Sequence, residues 1–585
     1  MKKFNKILAA AILSMVAISG SYALDVDAAG VDLTEFYKVY TEANDKTIHP
    51  ELVRGSNKKI TNGVYDQKVA VKCFNGTFVG KDYGDCQIWR GIPFAQPPVG
   101  ELRWKKPVAP KADNGFYEAY AFANKPLQIV RQEENSEDCL YLNIYKGKED
   151  GVKNKPVMVW IHGGGFVVES ASDDLYRAEK FIKANPDVIF VTIEYRLGAV
   201  GYMDFTQVPG GENYKESGIL GSLDQIAALK WINKNIEKFG GDPKNVTVLG
   251  ESAGSASSLL LPLFKESKGL FQKIIAQSGA LSITRPASAR RHVTQNLLNI
   301  TGAKNMEDLK KVPSEVILKN YLAINGDFGC FSPIRDGKYL PSNINELYDR
   351  WVKNTKDISI MMGATKDESR YCMSLGMGLD LEQAKNFFEN SYGAIKPKLS
   401  KESIALVENY LASLPKDMER YEKLERLFSQ ISFRQGSVAL AEVASNKNNV
   451  YVYEFTPNAQ ADYAGSYHGA EVEYLFNHMD RLAAFGHNDA TAHKIANQIQ
   501  KVWVNFAKTG VPSLNGKAFK PWGNDNNTIV FEKNGDIIDV PNYREEDTKY
   551  LTPLRPVAEE FIFEGFNLDP SKGDPNYLKN LNAKK

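Results

Sequence analysis

Short segments made almost entirely of apolar residues recur along the chain, and stretches with helical periodicity lie between them. The apolar segments span residues 157–161, 188–193, 246–249, 358–362 and 450–453. A strand without a polar side has both faces covered, as in the centre of a parallel sheet. Between two of the segments, residues 223–239 carry apolar side chains at the spacing of one helix face. This alternation predicts an α/β fold with a large, mostly parallel sheet flanked by helices.

The same pattern bears on domain organisation. From residue 68 onward no linker-like composition, charge block or repeat interrupts it, so we predict a single domain over residues 68–585. Residues 395–450 are rich in helical pattern and are interpreted as part of a helical cap over the sheet. Residues 24–67 are polar and lack core periodicity, which indicates an N-terminal extension.

The N-terminus has the pattern of an export signal. Three lysines within the first six residues precede an apolar run at 7–18, and a small-x-small sequence ends at Ala23. The run is too short for a bilayer span, which needs ~20 apolar residues, so a signal peptide over 1–23 is favoured over a membrane anchor. We therefore expect a secreted or periplasmic protein, with no membrane span in the mature chain.

Charge and motif content exclude several function classes. The 72 basic and 71 acidic residues nearly cancel, which leaves no electrostatic footprint for nucleic acid. The chain has no phosphate-binding P-loop, no C-x-x-C pair and no H-E-x-x-H motif. We therefore expect neither a metal nor an organic cofactor.

A candidate nucleophile lies in the pentapeptide Gly250-Glu251-Ser252-Ala253-Gly254. The pentapeptide follows the predicted strand 246–249 and precedes a helix-prone stretch. In that context G-x-S-x-G is a nucleophile elbow, a sharp turn that needs small residues two positions away on each side of the serine. Without that context it is only a glycine-bounded turn.

An oxyanion-binding loop is the expected partner of such an elbow. His162-Gly163-Gly164-Gly165-Phe166 directly follows the predicted strand 157–161. Glycines let backbone N–H groups approach the oxygen that becomes negatively charged when a carbonyl is attacked. The alternative interpretation of this segment, a flexible loop, is less favoured because the chain also contains the elbow motif.

A general base and its orienting acid should follow the serine in the order acid, then histidine. The histidines after Ser252 are at positions 292, 468, 478, 487 and 493. His468 is favoured because it lies in a loop after the predicted strand 450–453, whereas the others lie in or near helical stretches. Asp367 and Glu368 both follow the predicted strand 358–362, and position alone does not separate them.

Ordered motifs over residues 68–525 resemble the type-B carboxylesterases, the cholinesterase/carboxylesterase family. The motifs are 91–100 (GIPFAQPPVG), 136–143 (SEDCLYLN), 162–166 (HGGGF), 194–198 (EYRLG), 223–225 (LDQ), 239–243 (FGGDP), 250–254 (GESAG), 468–473 (HGAEVE) and 503–510 (WVNFAKTG). The resemblance implies an α/β-hydrolase fold and a serine esterase that hydrolyses small to medium esters through an acyl-enzyme.

The resemblance also implies roles for individual residues. It implies a catalytic triad of Ser252, Glu368 and His468, and thereby selects Glu368 over Asp367. It implies oxyanion donors at the backbone N–H groups of three further residues, and two structural salt bridges. The implied donors are Gly164, Gly165 and Ala253, and the implied salt bridges are Arg103–Glu137 and Arg196–Asp224.

The cysteines depart from the family pattern. The family's usual partner of Cys139 is missing near residues 126–127, so we expect Cys139 to be a buried free thiol. Segments 69–72 and 86–89 are interpreted as a hairpin, and we predict a disulfide between Cys73 and Cys86 on its two arms. Whether Cys330 and Cys372 pair stays open.

Other departures concern the substrate. Only eleven residues separate Leu127 from Cys139, and they lack the tryptophan with which cholinesterases bind choline, which argues against a choline ester. Arg285 lies near the family's acyl pocket, although a surface arginine is the favoured interpretation. Two alternatives to an esterase stay open: a non-catalytic adhesion protein on this fold, and an amidase or thioesterase using the same triad.

Overall fold

The computed structural model describes most of the chain from residue 54 to residue 551. The described ranges are 54–128, 134–148, 153–287, 291–325, 331–373, 380–444, 446–458, 464–480 and 488–551. The predicted signal segment 1–23, residues 24–53 of the predicted extension, His487, Cys330 and the side chain of Cys372 lie outside this description. No helix in the described ranges is both long and apolar enough to cross a bilayer.

The described residues form nineteen strands. They are β1 (Lys59–Ile60), β2 (Ala70–Cys73), β3 (Asn75–Val79), β4 (Lys81–Asp82), β5 (Cys86–Pro93), β6 (Asp113–Glu118), β7 (Tyr141–Gly147), β8 (Lys155–Ile161), β9 (Ile189–Ile193), β10 (Gly241–Glu251), β11 (Lys273–Gln277), β12 (Arg285–Pro286), β13 (Ile334–Arg335), β14 (Ser359–Thr365), β15 (Val450–Phe455), β16 (Ser513–Leu514), β17 (Lys517–Ala518), β18 (Thr528–Phe531) and β19 (Ile537–Val540).

Within the described residues, eleven of these strands form one sheet in the order β19-β18-β15-β14-β11-β10-β8-β9-β7-β5-β4. The block from β18 to β9 is parallel, and the strands at the two edges run antiparallel. The predicted large, mostly parallel sheet is therefore confirmed. The chain enters the block at β8, returns to β9 on one side and continues with β10 on the other, and such a switch point opens a crevice at the carboxyl ends of the strands.

Helices cover the sheet. They are α1 (Glu179–Ala184), α2 (Gly198–Gly201), α3 (Leu220–Asn235), α4 (Ala253–Leu260), α5 (Arg291–Thr301), α6 (Met306–Lys310), α7 (Ser314–Lys319), α8 (Tyr321–Asn325), α9 (Ile344–Asn354), α10 (Leu381–Ile395), α11 (Lys401–Ser413), α12 (Arg420–Ser429), α13 (Gln435–Val443), α14 (Ala470–Leu475), α15 (Ala490–Thr509) and α16 (Glu545–Leu551). The predicted helix-rich region 395–450 contains α11 to α13, with a π-helical turn (Gln430–Arg434) joining α12 to α13.

The core explains why the strand segments are apolar without interruption. In β8, Val157, Val159 and Ile161 belong to one buried cluster, while Met158 and Trp160 belong to a second cluster. Because successive side chains of a strand point to opposite faces, the two clusters lie on the two sides of the sheet. Both faces of β8 are therefore shielded from water. A strand with one exposed face would instead alternate apolar and polar side chains.

The predicted N-terminal hairpin and its disulfide are wrong. β2 pairs with β3 in a small four-stranded sheet, whereas β5 pairs with β4 and β7 in the large sheet. Cys73 and Cys86 are free thiols that pack into different core clusters. Cys139 is also free and buried.

Candidate active site

Ser252 occupies the turn between β10 and α4. The strand ends at Glu251 and the helix begins at Ala253, so Ser252 alone makes the change of direction. Its backbone has φ +54° and ψ −120°, a conformation that costs a non-glycine residue of order 1–3 kcal/mol and persists only where the surroundings enforce it. The surroundings include two backbone hydrogen bonds, from Ser252 N to Gln277 O (2.9 Å) and from Ala256 N to Ser252 O (2.9 Å).

Close packing against the end of β8 explains the glycines of the elbow. A β-carbon at Gly250 would lie 2.5 Å from the carbonyl oxygen of Ile161, and one at Gly254 would lie 1.9 Å from the same atom. Both distances are shorter than real contacts permit. The small residues on each side of Ser252 therefore allow the strand, the turn and the helix to pack together.

The glycine loop after β8 lies beside this turn. β8 and β10 are neighbours in the sheet, with Ile161 opposite Gly250. A β-carbon on Gly163 would lie 3.3 Å from the β-carbon of Ser252. The structure thus brings together the two glycine-rich motifs, which are 89 residues apart in the chain.

Three backbone N–H groups near Ser252 are unused. Gly164 and Gly165 have φ of +83° and +60°, which glycine adopts readily. Within the described part of the chain, the N–H groups of Gly164, Gly165 and Ala253 donate to no acceptor. Unsatisfied donors at a helix start and in a glycine loop are suited to an anionic oxygen.

Glu368 and His468 are in direct contact. Glu368 Oε2 lies 2.5 Å from His468 Nδ1, and the carboxyl is fully buried. Its other oxygen accepts hydrogen bonds from Ser278 Oγ (2.6 Å) and Thr365 N (2.8 Å). These bonds hold the carboxylate edge toward the imidazole.

Asp367, the sequence alternative to Glu368, faces elsewhere. Its carboxylate accepts from Ser466 N (3.1 Å), and its own backbone N–H donates to Ser466 O (3.0 Å). Asp367 thereby ties the loop after β14 to the loop that carries His468, whereas Glu368 is the carboxylate at the imidazole.

The second nitrogen of His468 faces Glu251 rather than the serine. Nε2 lies 3.0 Å from Glu251 Oε1, while the Ser252 hydroxyl makes no hydrogen bond within the described residues. Burial lowers the pKa of His468, but the two carboxylates Glu251 and Glu368 outweigh it and raise that pKa well above its usual value. Phe433, on the π-helical turn, packs against the imidazole, with the two ring centroids 4.2 Å apart.

Further carboxyl groups surround this pair. Glu169, which has φ +74°, follows the glycine loop and accepts a hydrogen bond from the Tyr176 hydroxyl. Burial raises the pKa of Glu169 and of Glu471 to about 8 each, and the nearby charge of Glu251 adds to both shifts. The sequence pattern does not predict this placement of Glu169, Glu251 and Glu471; the one local signal is that Glu251 is a titratable residue directly beside Ser252.

The other described histidines after Ser252 are engaged differently. His478 Nε2 lies 2.9 Å from Leu175 O, His493 is exposed on α15, and His292 is on α5. In the part of the chain that the structure describes, no group of three or more histidine, cysteine, aspartate or glutamate side chains could hold a metal ion.

Both salt bridges implied by the resemblance are present as buried bidentate pairs. Arg103 contacts Glu137 at 2.7 and 2.9 Å, and Arg196 contacts Asp224 at 2.8 Å through two nitrogens. Arg285, interpreted from the sequence as a surface residue, is 3% exposed and lies on β12, so that interpretation is wrong.

Comparison with known proteins agrees with this geometry. Residues 66–548 match the sequence pattern of a protein family described as "Carboxylesterase family". The para-nitrobenzyl esterase of Bacillus subtilis (strain 168) is 32% identical over 444 residues, which are 73% of this chain and 86% of that protein. The fumonisin B1 esterase of Sphingopyxis macrogoltabida is 31% identical over 494 residues, covering 81% and 86% respectively.

The chain belongs to the carboxylesterase family. Its structure also resembles that of a Geobacillus stearothermophilus carboxylesterase, with a TM-score of 0.70, 30% identity, and coverage of 82% of this chain and 99% of the other. This protein, like its relatives, therefore has the α/β-hydrolase fold expected from its sequence and acts as an ester hydrolase.

Proposed function

We propose that this carboxylesterase is an exported serine hydrolase that cleaves small to medium carboxylic esters through an acyl-enzyme on Ser252. One observation carries the proposal: Ser252 at the end of β10 lies beside the glycine loop that follows β8, and its neighbour Glu251 lies 3.0 Å from His468 of the His468–Glu368 pair. These are the nucleophile, the oxyanion site and the base that ester hydrolysis requires.

In the first half of the reaction, Ser252 Oγ attacks the carbonyl carbon of the ester. His468 Nε2 takes the hydroxyl proton and then gives it to the departing alcohol. Glu368, at 2.5 Å from Nδ1, keeps the imidazole in the required tautomer and stabilises its protonated form. Water then attacks the acyl-enzyme with the same base, which releases the acid and restores Ser252.

The N–H groups of Gly164, Gly165 and Ala253 would stabilise the tetrahedral oxyanion in both halves. Two of them are preorganised by the backbone, because α4 fixes the N–H of Ala253 and the turn from Gly164 to Val168 fixes that of Gly165. Loss of one such donor typically costs ~10²–10³ in rate.

Glu251 adds one step to this scheme. Its carboxylate lies 3.0 Å from His468 Nε2, so the imidazole must exchange this contact for the Ser252 hydroxyl before proton transfer. An imidazole between two carboxylates is a strong base that is protonated over a wide pH range. We therefore expect the acid limb of the activity profile to lie above the usual histidine pKa.

The N-terminal sequence supports export with cleavage after Ala23, an extension over residues 24–67, and one catalytic domain from residue 68. Arg54, within the extension, contacts Glu134 at 2.9 Å and the carbonyl of Ser172 at 3.2 Å. The extension would therefore be anchored to the body of the domain near the glycine loop.

The test uses p-nitrophenyl esters of increasing acyl length, a p-nitrobenzyl ester and a p-nitroanilide. A choline ester is included, and we expect it to be a poor substrate. Ser252→Ala should abolish turnover of every ester. Ser255→Ala, in the same helix, is the matched control, because the Ser255 hydroxyl is buried and has no hydrogen-bond partner within the described residues.

Wild-type inactivity on all chain lengths would contradict the esterase proposal, and full activity of Ser252→Ala would contradict the nucleophile assignment. Faster hydrolysis of the anilide than of the matching ester would favour an amidase. Mass spectrometry of the protein after a rapid quench should show the acyl group on Ser252.

A further inference from the structure

Two side chains hold the carbonyl groups at the start of the glycine loop. The hydroxyl of Tyr195 donates to His162 O at 2.9 Å and also lies 3.3 Å from Gly163 O. His162 Nδ1 lies 3.2 Å from Gly163 O. Tyr195 follows β9, the neighbour of β8 in the sheet, so its anchor lies on a separate strand from the loop itself.

These contacts fix a direction as well as a position. The chain has no cis peptide bonds within the described residues, and in a trans peptide the C=O and N–H bonds point to opposite sides. The carbonyl of Gly163 and the N–H of Gly164 belong to the same peptide plane. A donor that holds Gly163 O on one side therefore aims Gly164 N–H to the other side.

The next peptide is fixed without Tyr195. The carbonyl of Gly164 accepts hydrogen bonds from Val167 N and Val168 N, both at 3.0 Å, so a backbone turn sets the direction of Gly165 N–H. The peptide before Gly164 has no comparable backbone bond within the described residues. Because glycines flank it, no β-carbon restricts the backbone torsions on either side of this plane.

Tyr195 is suited to act as a permanent donor. Its side chain is fully buried, and its ring stacks on the His162 imidazole at 4.4 Å with 25° between the planes. Burial raises the pKa of the Tyr195 hydroxyl well above its usual value, so the hydroxyl keeps its proton and remains a donor.

We propose that Tyr195 is a positioning residue for ester hydrolysis: its hydroxyl holds the carbonyl oxygens of His162 and Gly163 so that Gly164 N–H points at the oxyanion. This inference rests on the proposed function, since it requires an oxyanion next to Ser252. Tyr195 itself touches neither the substrate nor the reacting atoms.

The test is Tyr195→Phe, which keeps the ring and its stacking and removes only the donor. We expect kcat to fall about ten- to hundred-fold with KM changed less than about two-fold, because the misdirected N–H group matters mainly in the transition state. Tyr202→Phe is the matched control. Tyr202 is equally buried and packs on Phe166 of the same loop, but its hydroxyl lies beside Ser222 instead of the loop carbonyls.

A second readout separates positioning from general destabilisation. A trifluoromethyl ketone forms a tetrahedral oxyanion on the serine, so its inhibition constant should rise in Tyr195→Phe by the same factor as kcat/KM falls. An alcohol product, which carries no anionic oxygen, should bind both proteins equally. Tyr195→Met, a second donor-free variant, should behave like Tyr195→Phe, so the result does not depend on one replacement folding.

Labelling with a fluorophosphonate reports the fraction of protein with a reactive Ser252, and kcat is expressed per labelled site. Absence of labelling in the wild type would overturn the proposed nucleophile. Normal labelling together with unchanged kcat and unchanged ketone inhibition in the Tyr195 variants would overturn only the positioning role. An equal loss in Tyr202→Phe would also overturn it, because the effect would then come from the replacement of a buried tyrosine.

Discussion

Replacement of Arg196 by methionine should destabilise the enzyme more than most single substitutions do. Asp224 is fully buried on α3 and accepts three hydrogen bonds from Arg196, through the backbone N (3.0 Å), Nε (2.8 Å) and Nη2 (2.8 Å). Burial raises the pKa of Asp224, and the charge and hydrogen bonds of Arg196 only partly offset it. In Arg196→Met, one backbone N–H remains for a carboxylate that is shielded from water.

The magnitude follows from the cost of an unpaired buried charge, about 3–5 kcal/mol. The unfolding entropy is ~2.1 cal/mol/K per residue, or ~1 kcal/mol/K for a folded unit of about 480 residues. The Tm should therefore fall by about 3–5 °C. The double variant Arg196→Met/Asp224→Leu removes both charges, and its Tm should lie within about 2 °C of the wild type or above it.

The assay is scanning calorimetry at one scan rate, at pH 5 and at pH 8. An unpaired Asp224 would have a further raised pKa in the folded state, so the stability of Arg196→Met should fall as the pH rises from the unfolded value near 4 toward the folded pKa. Its deficit should thus be larger at pH 8 than at pH 5. A single variant within 1 °C of the wild type, or a double variant no more stable than the single one, would refute this reasoning.

Three further predictions concern the acid, a buried carboxyl and the thiols. Glu368→Gln should lower kcat by about 10⁴-fold, whereas Asp367→Asn should retain most activity, as measured on a p-nitrophenyl ester; equal losses would reopen the choice between them. Burial raises the pKa of Glu194 to about 7, so its ionisation removes stability as the pH rises from about 4.5 to 7. Glu194→Gln should therefore gain up to about 3 kcal/mol relative to the wild type over that window, seen as a rising Tm difference; a flat difference would contradict the assignment. Unfolding in iodoacetamide without reductant should alkylate both Cys73 and Cys86, and protection of either one would indicate a disulfide.

The central sheet could be predicted because burial of a strand on both faces restricts the residue types within that strand. A strand covered on both faces needs apolar side chains at successive positions, and β8 and β15 meet this need with Val157–Ile161 and Val450–Tyr453. The elbow and the glycine loop were equally readable, since each needs small residues at fixed offsets. The apolar strands and both glycine motifs depend only on residues that are close together in the chain.

No such local pattern indicates which strands pair with each other. The patterns of residues 69–72 and 86–89 predict a hairpin, yet β2 pairs with β3 directly after it, and β5 pairs with β7 some fifty residues later. A short strand pattern states that a segment is extended and which side is apolar, but not which strand lies beside it. The predicted Cys73–Cys86 disulfide failed for this reason.

The amino-acid sequence by itself determined the fold class, the residue types available for ester hydrolysis and their order along the chain. Chain position left Asp367 and Glu368 equivalent and only the family resemblance favoured Glu368, whereas the tertiary structure shows the Glu368 carboxylate at His468 and the Asp367 carboxylate at Ser466 N. It also decided that Glu251 lies at the second nitrogen of the imidazole, 217 residues away along the chain. Such contacts depend on how strands from distant parts of the chain are ordered in the sheet, and that order is set by packing of the whole domain.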